Sequence, residues 1–341
     1  MFRGRPEQTG VASEKLTPPL KLAWRVKLGE AITSTAAIAG GTVYVGDEDG
    51  GVHALRVTDG SPIWRFAAND AVRASPTIFD NRLFVGDVDG TLHALNAADG
   101  VRKWTFKSDG EIQSSVNVSG DRMIFGSYDA FVYCVSRADG SLLWKYETAG
   151  RVHGTPAIIG DNVIVAGCDE FLHVISLRDG TNVRRIRMGS VSGASPAISG
   201  DRAFVGTHGN QVLGLNWKEG SVLWTFEDPD RAFPFLSSAS VADDAVYIGG
   251  RDKRVRGFRA SDGTVLWTTA LDGRTDSSPV LSGEVLYIGG GDGNVYGLNR
   301  ADGKEQWKYE TGAPVSASPA IGENRFVIGN EDGMLFCFLA E

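Results

Sequence analysis

Short segments of apolar or alternating apolar and polar residues recur along the whole chain, separated by breaks rich in Gly and Asp. The stretch RLFVGDVDGTLHALNAADGVRKW (Arg82 to Trp104) is representative. It holds an apolar segment, an Asp-Gly break, an alternating segment, a second Asp-Gly break and a segment carrying tryptophan. Segments this short with period-two alternation predict β-strands. Asp-Gly between two of them is a strong hairpin signal, because both turn residues adopt positive φ at low cost. One break recurs at Asp49-Gly50, Asp89-Gly90, Asp292-Gly293 and Asp332-Gly333. The other recurs at Asp59-Gly60, Asp99-Gly100, Asp139-Gly140, Asp179-Gly180, Asp262-Gly263 and Asp302-Gly303. No helical periodicity interrupts the series.

The tryptophans set the period. Trp24, Trp64, Trp104, Trp144, Trp224, Trp267 and Trp307 lie 40, 40, 40, 80, 43 and 40 residues apart, and the missing beat falls on Arg184. Each unit holds four strands, A to D, with the tryptophan in D. Four-stranded units of ~40–45 residues with repeated Gly and aromatic marks predict propeller blades. The last unit, from Val315, supplies A, B and C, and the chain ends at Glu341 before its tryptophan is due. Trp24 has a D strand with no A, B or C before it. The predicted fold is therefore all-β: one eight-bladed β-propeller over residues 21–341, after an N-terminal arm of residues 1–20. Its N-terminal strand completes the last blade, which leaves no unpaired strand. The seven tryptophans are assigned structural docking roles.

Composition agrees with many tight turns, since 44 of the 341 residues are glycine. A net charge of −8 argues against nucleic acid as a partner. No apolar run approaches the ~18 residues of a membrane span, and the first twenty residues lack the apolar core of a secretory signal. The expectation is a soluble monomer, cytoplasmic as written, or periplasmic or of the cell envelope if a leader has been removed. Cys134, Cys168 and Cys337 form no metal or disulfide spacing, and Cys134 and Cys337 share one interior repeat slot, so packing is expected. His53, His93 and His173 also share a slot, on separate blades, and cannot converge on one metal. Asp47-x-Asp49-Gly50 and Asp87-x-Asp89-Gly90 lack the later ligands of a calcium loop. GGGDGN (Gly289 to Asn294) precedes a strand, so no helix N-terminus is available for phosphate. No Ser-His-Asp or Cys-His arrangement emerges, and no catalytic or metal residues are assigned.

The units resemble the pyrroloquinoline-quinone (PQQ) repeat propellers of the quinoprotein alcohol dehydrogenase-like superfamily. The tryptophan-docking motif of that family appears as ALRVTDGSPIW (Ala54 to Trp64), ALNAADGVRKW (Ala94 to Trp104) and GLNRADGKEQW (Gly297 to Trp307). The opening FRGRPEQTG also looks like the segment preceding the first blade in many members. The family's internal Asp is replaced here by Arg56, Asn96, Ser136, Ser176, Asn216, Arg259 or Asn299, and its Thr mostly by Asp. The resemblance implies either a PQQ-dependent dehydrogenase or a non-enzymatic scaffold such as the outer-membrane barrel-assembly lipoproteins, and fold alone does not choose. The dehydrogenases typically stack PQQ between a tryptophan floor and a vicinal cysteine disulfide, with calcium held by Glu, Asn and Asp. This chain has no vicinal cysteines, and seven of its eight tryptophans fall in docking slots. The eighth, Trp217, is expected beside a C–D turn at the opposite end from the candidate site. A lipobox cysteine is not visible either.

Function is expected where the repeats disagree among themselves. One variable slot, at the start of strand A, reads Thr33, Arg73, Gln113, His153, Gly193, Leu236, Asp276 and Ser316. A second, in the B–C turn, reads Glu48, Val88, Tyr128, Cys168, His208, Arg251, Gly291 and Glu331. Glu111, Arg151 and Arg274 lie two residues ahead of the first slot. Both slots, and the long connection EDPDRAFPF (Glu227 to Phe235), should crowd one mouth of the central channel. Neighbouring slots are nearly constant, as packing requires. Arg184, Arg185 and Arg187, and the group Arg251, Lys253, Arg254, Arg256 and Arg259, lie on strands whose alternation should expose only part of each group. They read as solvated faces, with an acidic protein as the sharper alternative. The expected function is a non-enzymatic platform for a protein partner or ligand, without cofactor. A PQQ-and-calcium dehydrogenase and a small-ligand sensor are the alternatives.

Overall fold

A computed structural model describes residues 3–340 of the protein. The described residues form 32 strands and no helix, arranged as eight four-stranded antiparallel sheets around a central channel. In blade one the strands are Ala37–Ala39, Thr42–Gly46, Gly51–Arg56 and Pro62–Ala67, ordered from the channel outward. Strand A is three residues long, which suits the crowding near the axis. Strands B and C are buried on both faces between neighbouring blades, so they read as continuous apolar runs such as the wholly buried TVYVG of Thr42–Gly46. Strand D has an exposed outer edge and alternates more openly, as in Pro62–Ala67.

The eighth blade combines the two ends of the chain. Leu20–Lys27 pairs antiparallel with Met334–Ala340, with Trp24 opposite Cys337. Trp24 is 8% exposed, and its indole Nε1–H donates 3.0 Å to the Val57 carbonyl of blade one. Its ring lies over Gly60, where a Cβ would come within 2.7 Å of the indole and where φ is +72°. Only glycine satisfies both conditions. The same seat is repeated by Trp64 on Gly100 and Trp144 on Gly180. Trp307 donates 3.1 Å to the Leu20 carbonyl, so blade seven docks on the strand that closes the ring. At the missing beat, Arg184 lies over Gly220 and donates 2.9 Å to the Glu219 carbonyl, a polar replacement for the indole.

Two expectations need correction. Arg184, Arg185 and Arg187 are all exposed, not alternately so, because the outermost strand has solvent at its edge. The constant Ser or Thr in strand A is held by hydrogen bonding as well as packing. Ser75 Oγ accepts from Thr35 N–H, Ser115 Oγ from Ser75 N–H, and so on through Thr155, Ser195, Ser238, Ser278 and Ser318. Seven such bonds of 2.9–3.0 Å step from blade to blade around the channel. At about 1 kcal/mol net each, they tie the crowded axis together where apolar area is scarce.

The N-terminal arm crosses the channel at the end that carries the A–B turns. Pro6, Glu7, Thr9 and Gly10 carbonyls accept from Ile158, Ile198, Val241 and Leu281 N–H, one on each of blades four to seven. Glu14 then caps the Glu323 and Asn324 N–H groups of blade eight.

Candidate functional site

The other mouth of the channel is built on one repeated main-chain contact. The second-slot N–H donates to a carbonyl of the preceding D–A connection in all eight blades. The pairs run from Glu48 N–H to Ala31 O, through Tyr128 to Glu111 and His208 to Val191, to Glu331 and Pro314. The B–C turn and the D–A connection therefore share one face, and the two variable slots sit side by side. Arg251 N–H bonds the Pro234 carbonyl, which places the Glu227–Phe235 connection on this face as well.

Below these turns, histidine and tyrosine lock the loops. His53 Nε2 lies 2.7 Å from Asp47 Oδ2, His93 Nε2 2.8 Å from Asp87, and His173 Nε2 2.9 Å from Asp169. Tyr133 occupies the same slot in blade three and donates 2.7 Å to Asp129. In blade six Arg256 pairs with Asp252 at 2.5 Å. In these blades the slot holds a partner of the turn's own carboxylate, whereas Leu213 and Phe336 fill it with apolar side chains in blades five and eight. The aspartates have no spacing signal apart from the Asp-x-Asp-Gly motif, which turn chemistry explains. Burial alone would raise the Asp47 pKa, but hydrogen bonds from His53 and the Gly51 N–H outweigh it and hold the carboxyl below its ordinary range. Among the described residues no group of His, Cys, Asp and Glu is placed to hold a metal.

At the mouth itself, Arg73, Gln113, His153 and Asp276 line a pit of about 180 Å³ whose floor is the Ser/Thr ring. Arg73 Nε lies 2.9 Å from Glu48, which also accepts from Thr33 at 2.8 Å. Gln113 donates to Glu111 at 2.6 Å. His153 Nδ1 is 2.6 Å from the Tyr128 hydroxyl, and the Arg151 guanidinium stands 5.2 Å over the Tyr128 ring. Desolvation in this crowded mouth, with the charges of His208 and Arg73, lowers the His153 pKa. Arg251 grips Asp276 with two bonds of 2.7 and 2.9 Å, and Arg274 approaches the same carboxylate at 3.5 Å. Arg251, Arg274, Asp276 and Glu331 line a second hollow of about 350 Å³ across blades six to eight. His208 and Glu331 are exposed; His208 Nδ1 lies 3.3 Å from the Val191 carbonyl, and among the described residues no side chain pairs with either.

This mouth does not match a quinone site. A flat quinone needs an aromatic floor, and the tryptophans of the outer strands are seated on the glycines of neighbouring blades or, for Trp307, on the closing strand. Trp217 bonds the Gly200 carbonyl at the A–B end, away from this mouth. Cys134 and Cys337 are buried on blades three and eight, and Cys168 stands alone in its turn. The pit is walled by hydroxyls, and its carboxylate Asp276 is already engaged by arginine.

The profile of the PQQ_2 family, described as outer membrane protein assembly factor BamB, matches residues 20–127, 107–227 and 227–340. The chain belongs to that family. BamB from Moraxella catarrhalis superposes on this BamB-family propeller with a TM-score of 0.81 and 20% identity, over 95% of this chain and 98% of that one. Quinohemoprotein alcohol dehydrogenase from Comamonas testosteroni superposes with a TM-score of 0.85 and 13% identity, over 99% of this chain and 79% of that one. A computationally designed protein, Ika8, gives a TM-score of 0.81 at 16% identity, over 93% of this chain and 99% of that one. At these identities the likenesses carry the fold alone. No curated protein sequence matches the chain.

Proposed function

We propose that this BamB-family propeller is a non-enzymatic binding platform of the cell envelope, which engages a protein partner on the face carrying the D–A and B–C turns. One observation carries the reading. Eight turns are held by the same main-chain bond and yet present unlike side chains: Glu48, Tyr128, His208, Arg251 and Glu331 around a single mouth. A rigid frame with diverse tips loses little conformational entropy on binding, and its mixed charges select a partner of complementary pattern. Arg73, Gln113, His153 and Asp276 contribute the inner rim; Glu111, Arg151 and Arg274 contribute the outer one.

Site-specific photo-crosslinking tests this. A photoreactive residue at His208 or Glu331 should capture a discrete protein partner in cells, whereas one at Val101 on an outer strand should not. The Arg73→Ala/Asp276→Ala variant should abolish capture while keeping its melting temperature. Equal capture from Val101, or capture untouched by the double substitution, would overturn the assignment of this face.

The dehydrogenase reading has the likeness to quinohemoprotein alcohol dehydrogenase in its favour. It predicts that PQQ with calcium at ~100 times the dissociation constant adds about 2.7 kcal/mol of stability. The platform predicts no change in melting temperature.

A further inference from the structure

The arm shows how the inner edge of this propeller accepts a main chain. In blades four to seven the middle residue of strand A turns its N–H into the channel, where the arm carbonyls accept it at 2.8–2.9 Å. In blade three the Val118 N–H is taken by Asn117 Oδ1 at 2.9 Å. These five middle residues are buried to between 1% and 4% exposure. Ile321, Ile38 and Ile78 hold the same register positions in blades eight, one and two, opposite Phe326, Val43 and Leu83. The arm does not reach them. Their N–H groups have no acceptor among the described residues, and their side chains are half-exposed.

They face a cavity of about 290 Å³, termed the crescent because its lining follows blades eight, one and two, walled mainly by small residues, among them Ala37, Ala39 and Gly322. Arg3 of the arm borders it. This guanidinium is 6% exposed, donates to the Gln8, Ala239 and Pro279 carbonyls, has no carboxylate partner, and leaves Nη1 without an acceptor. The two carboxylates of the cavity are already used: Glu14 by the Glu323 and Asn324 N–H groups, Glu323 by Gly41 N–H. The groups left over are donors: Arg3 Nη1, which is enclosed and out of reach of the cavity, and the three edge N–H groups, which open onto it and can take a further main chain.

We propose that this crescent binds an extended peptide segment of a partner protein, small in its side chains. The segment continues the arm's course over blades eight, one and two. Its carbonyls accept from Ile321, Ile38 and Ile78 N–H. Recognition of this kind extends a sheet edge through main-chain bonds, so it tolerates sequence variation wherever side chains stay small. The site lies at the opposite end of the channel from the variable rim, and the two can be occupied independently.

The test uses the full chain, labelled with ¹⁵N, and the peptide acetyl-Gln-Thr-Gly-Val-Ala with a free carboxyl terminus, the arm's own Gln8–Ala12 sequence. Saturable shifts are expected at the Ile38, Ile78 and Ile321 amides, with none at Arg73 or Asp276. Replacing the peptide's Thr and Val by Trp, whose side chains the small-residue walls cannot admit, should weaken binding at least tenfold. Gly322→Leu should weaken it at least tenfold, because a side chain there projects into the crescent and a Cβ meets only Ile38, at 3.5 Å. No saturable shift at millimolar peptide, shifts confined to the rim or to the amides already held by the arm, or equal affinity for the Trp-substituted peptide would each overturn the proposal. Should Gly322→Leu fail to fold, the Trp-substituted peptide decides.

Discussion

Replacing Trp24 by alanine probes how the ring is closed. The indole is 8% exposed, spans from the closing strand to blade one, and donates 3.0 Å to the Val57 carbonyl. A buried aromatic covers ~150–250 Å², which at ~25 cal/mol/Å² is about 4–6 kcal/mol as an upper figure. Truncation of such residues costs about 3–5 kcal/mol in practice, so about 4 kcal/mol is expected for Trp24→Ala. With ~2.1 cal/mol/K per residue of unfolding entropy, a chain of 341 residues should melt about 6 °C lower. Trp144→Ala is the internal control, since Trp144 has the same 8% exposure and donates 3.1 Å to Leu177 within the continuous part of the ring. Both variants should lose similar stability, as read by calorimetry. Only Trp24→Ala should speed amide hydrogen exchange across Leu20–Lys27 and Met334–Ala340, the paired ends of the chain. A Trp24→Ala protein that melts like wild type, or whose exchange at those strands is unchanged, would refute closure by this strand.

Further predictions concern the glycine seats and the turn carboxylates. Gly100→Ala should destabilise by about 1–3 kcal/mol, because its Cβ would come within 2.7 Å of the Trp64 ring at a φ of +71°; Gly120→Ala, also at positive φ but with nothing within 4 Å, should cost less in a urea titration. Asp47, Asp169 and Asp292 all have pKa values held below the ordinary carboxylate value. Their contribution is therefore complete above the unfolded value of ~4 and is lost as pH falls through the lower folded values. The urea midpoint should drop below about pH 4, and the Asp47→Asn/Asp169→Asn variant should show a shallower acid limb; an unchanged slope would show that these carboxylates are not what acid titrates. His153, with its pKa lowered, should stay neutral at pH 7 and gain a proton only below its ordinary ~6.5. Protonation there disfavours the folded mouth, so stability from this group is present above that value and falls as pH drops, which NMR titration of the imidazole against Tyr128→Phe can follow.

Much of this molecule can be read along the chain, because a propeller is a local object repeated. The tryptophan beat, the Asp-Gly turns and the wholly apolar B and C segments each arise from contacts within a blade or between adjacent blades, at fixed offsets in sequence. The short count at both ends, with Trp24 lacking strands before it and Val315 onward lacking its tryptophan, was enough to place the closing strand. The shared face of the two variable slots followed from strand direction alone. The Ser or Thr at Thr35, Ser75 and their counterparts was visible as an eightfold constant, but the N–H that its hydroxyl accepts from belongs to the preceding blade, 40 or 43 residues away, and no local pattern names it.

What the tertiary structure decided are the pairings that close in space and are not repeated. Sequence marks Arg73 and Asp276 as variable; only the folded ring shows that Glu48 and Arg251 already hold them. The exposure of all three arginines around Arg184 depends on where the sheet ends, which alternation cannot express. The arm is the clearest case. Residues 3–14 form no long strand and carry no motif for insertion, yet their carbonyls seat on edge N–H groups of four blades. Those blades are brought around one axis only when the ring closes, so the arm's course, and the crescent it leaves unfilled, exist only in the assembled fold.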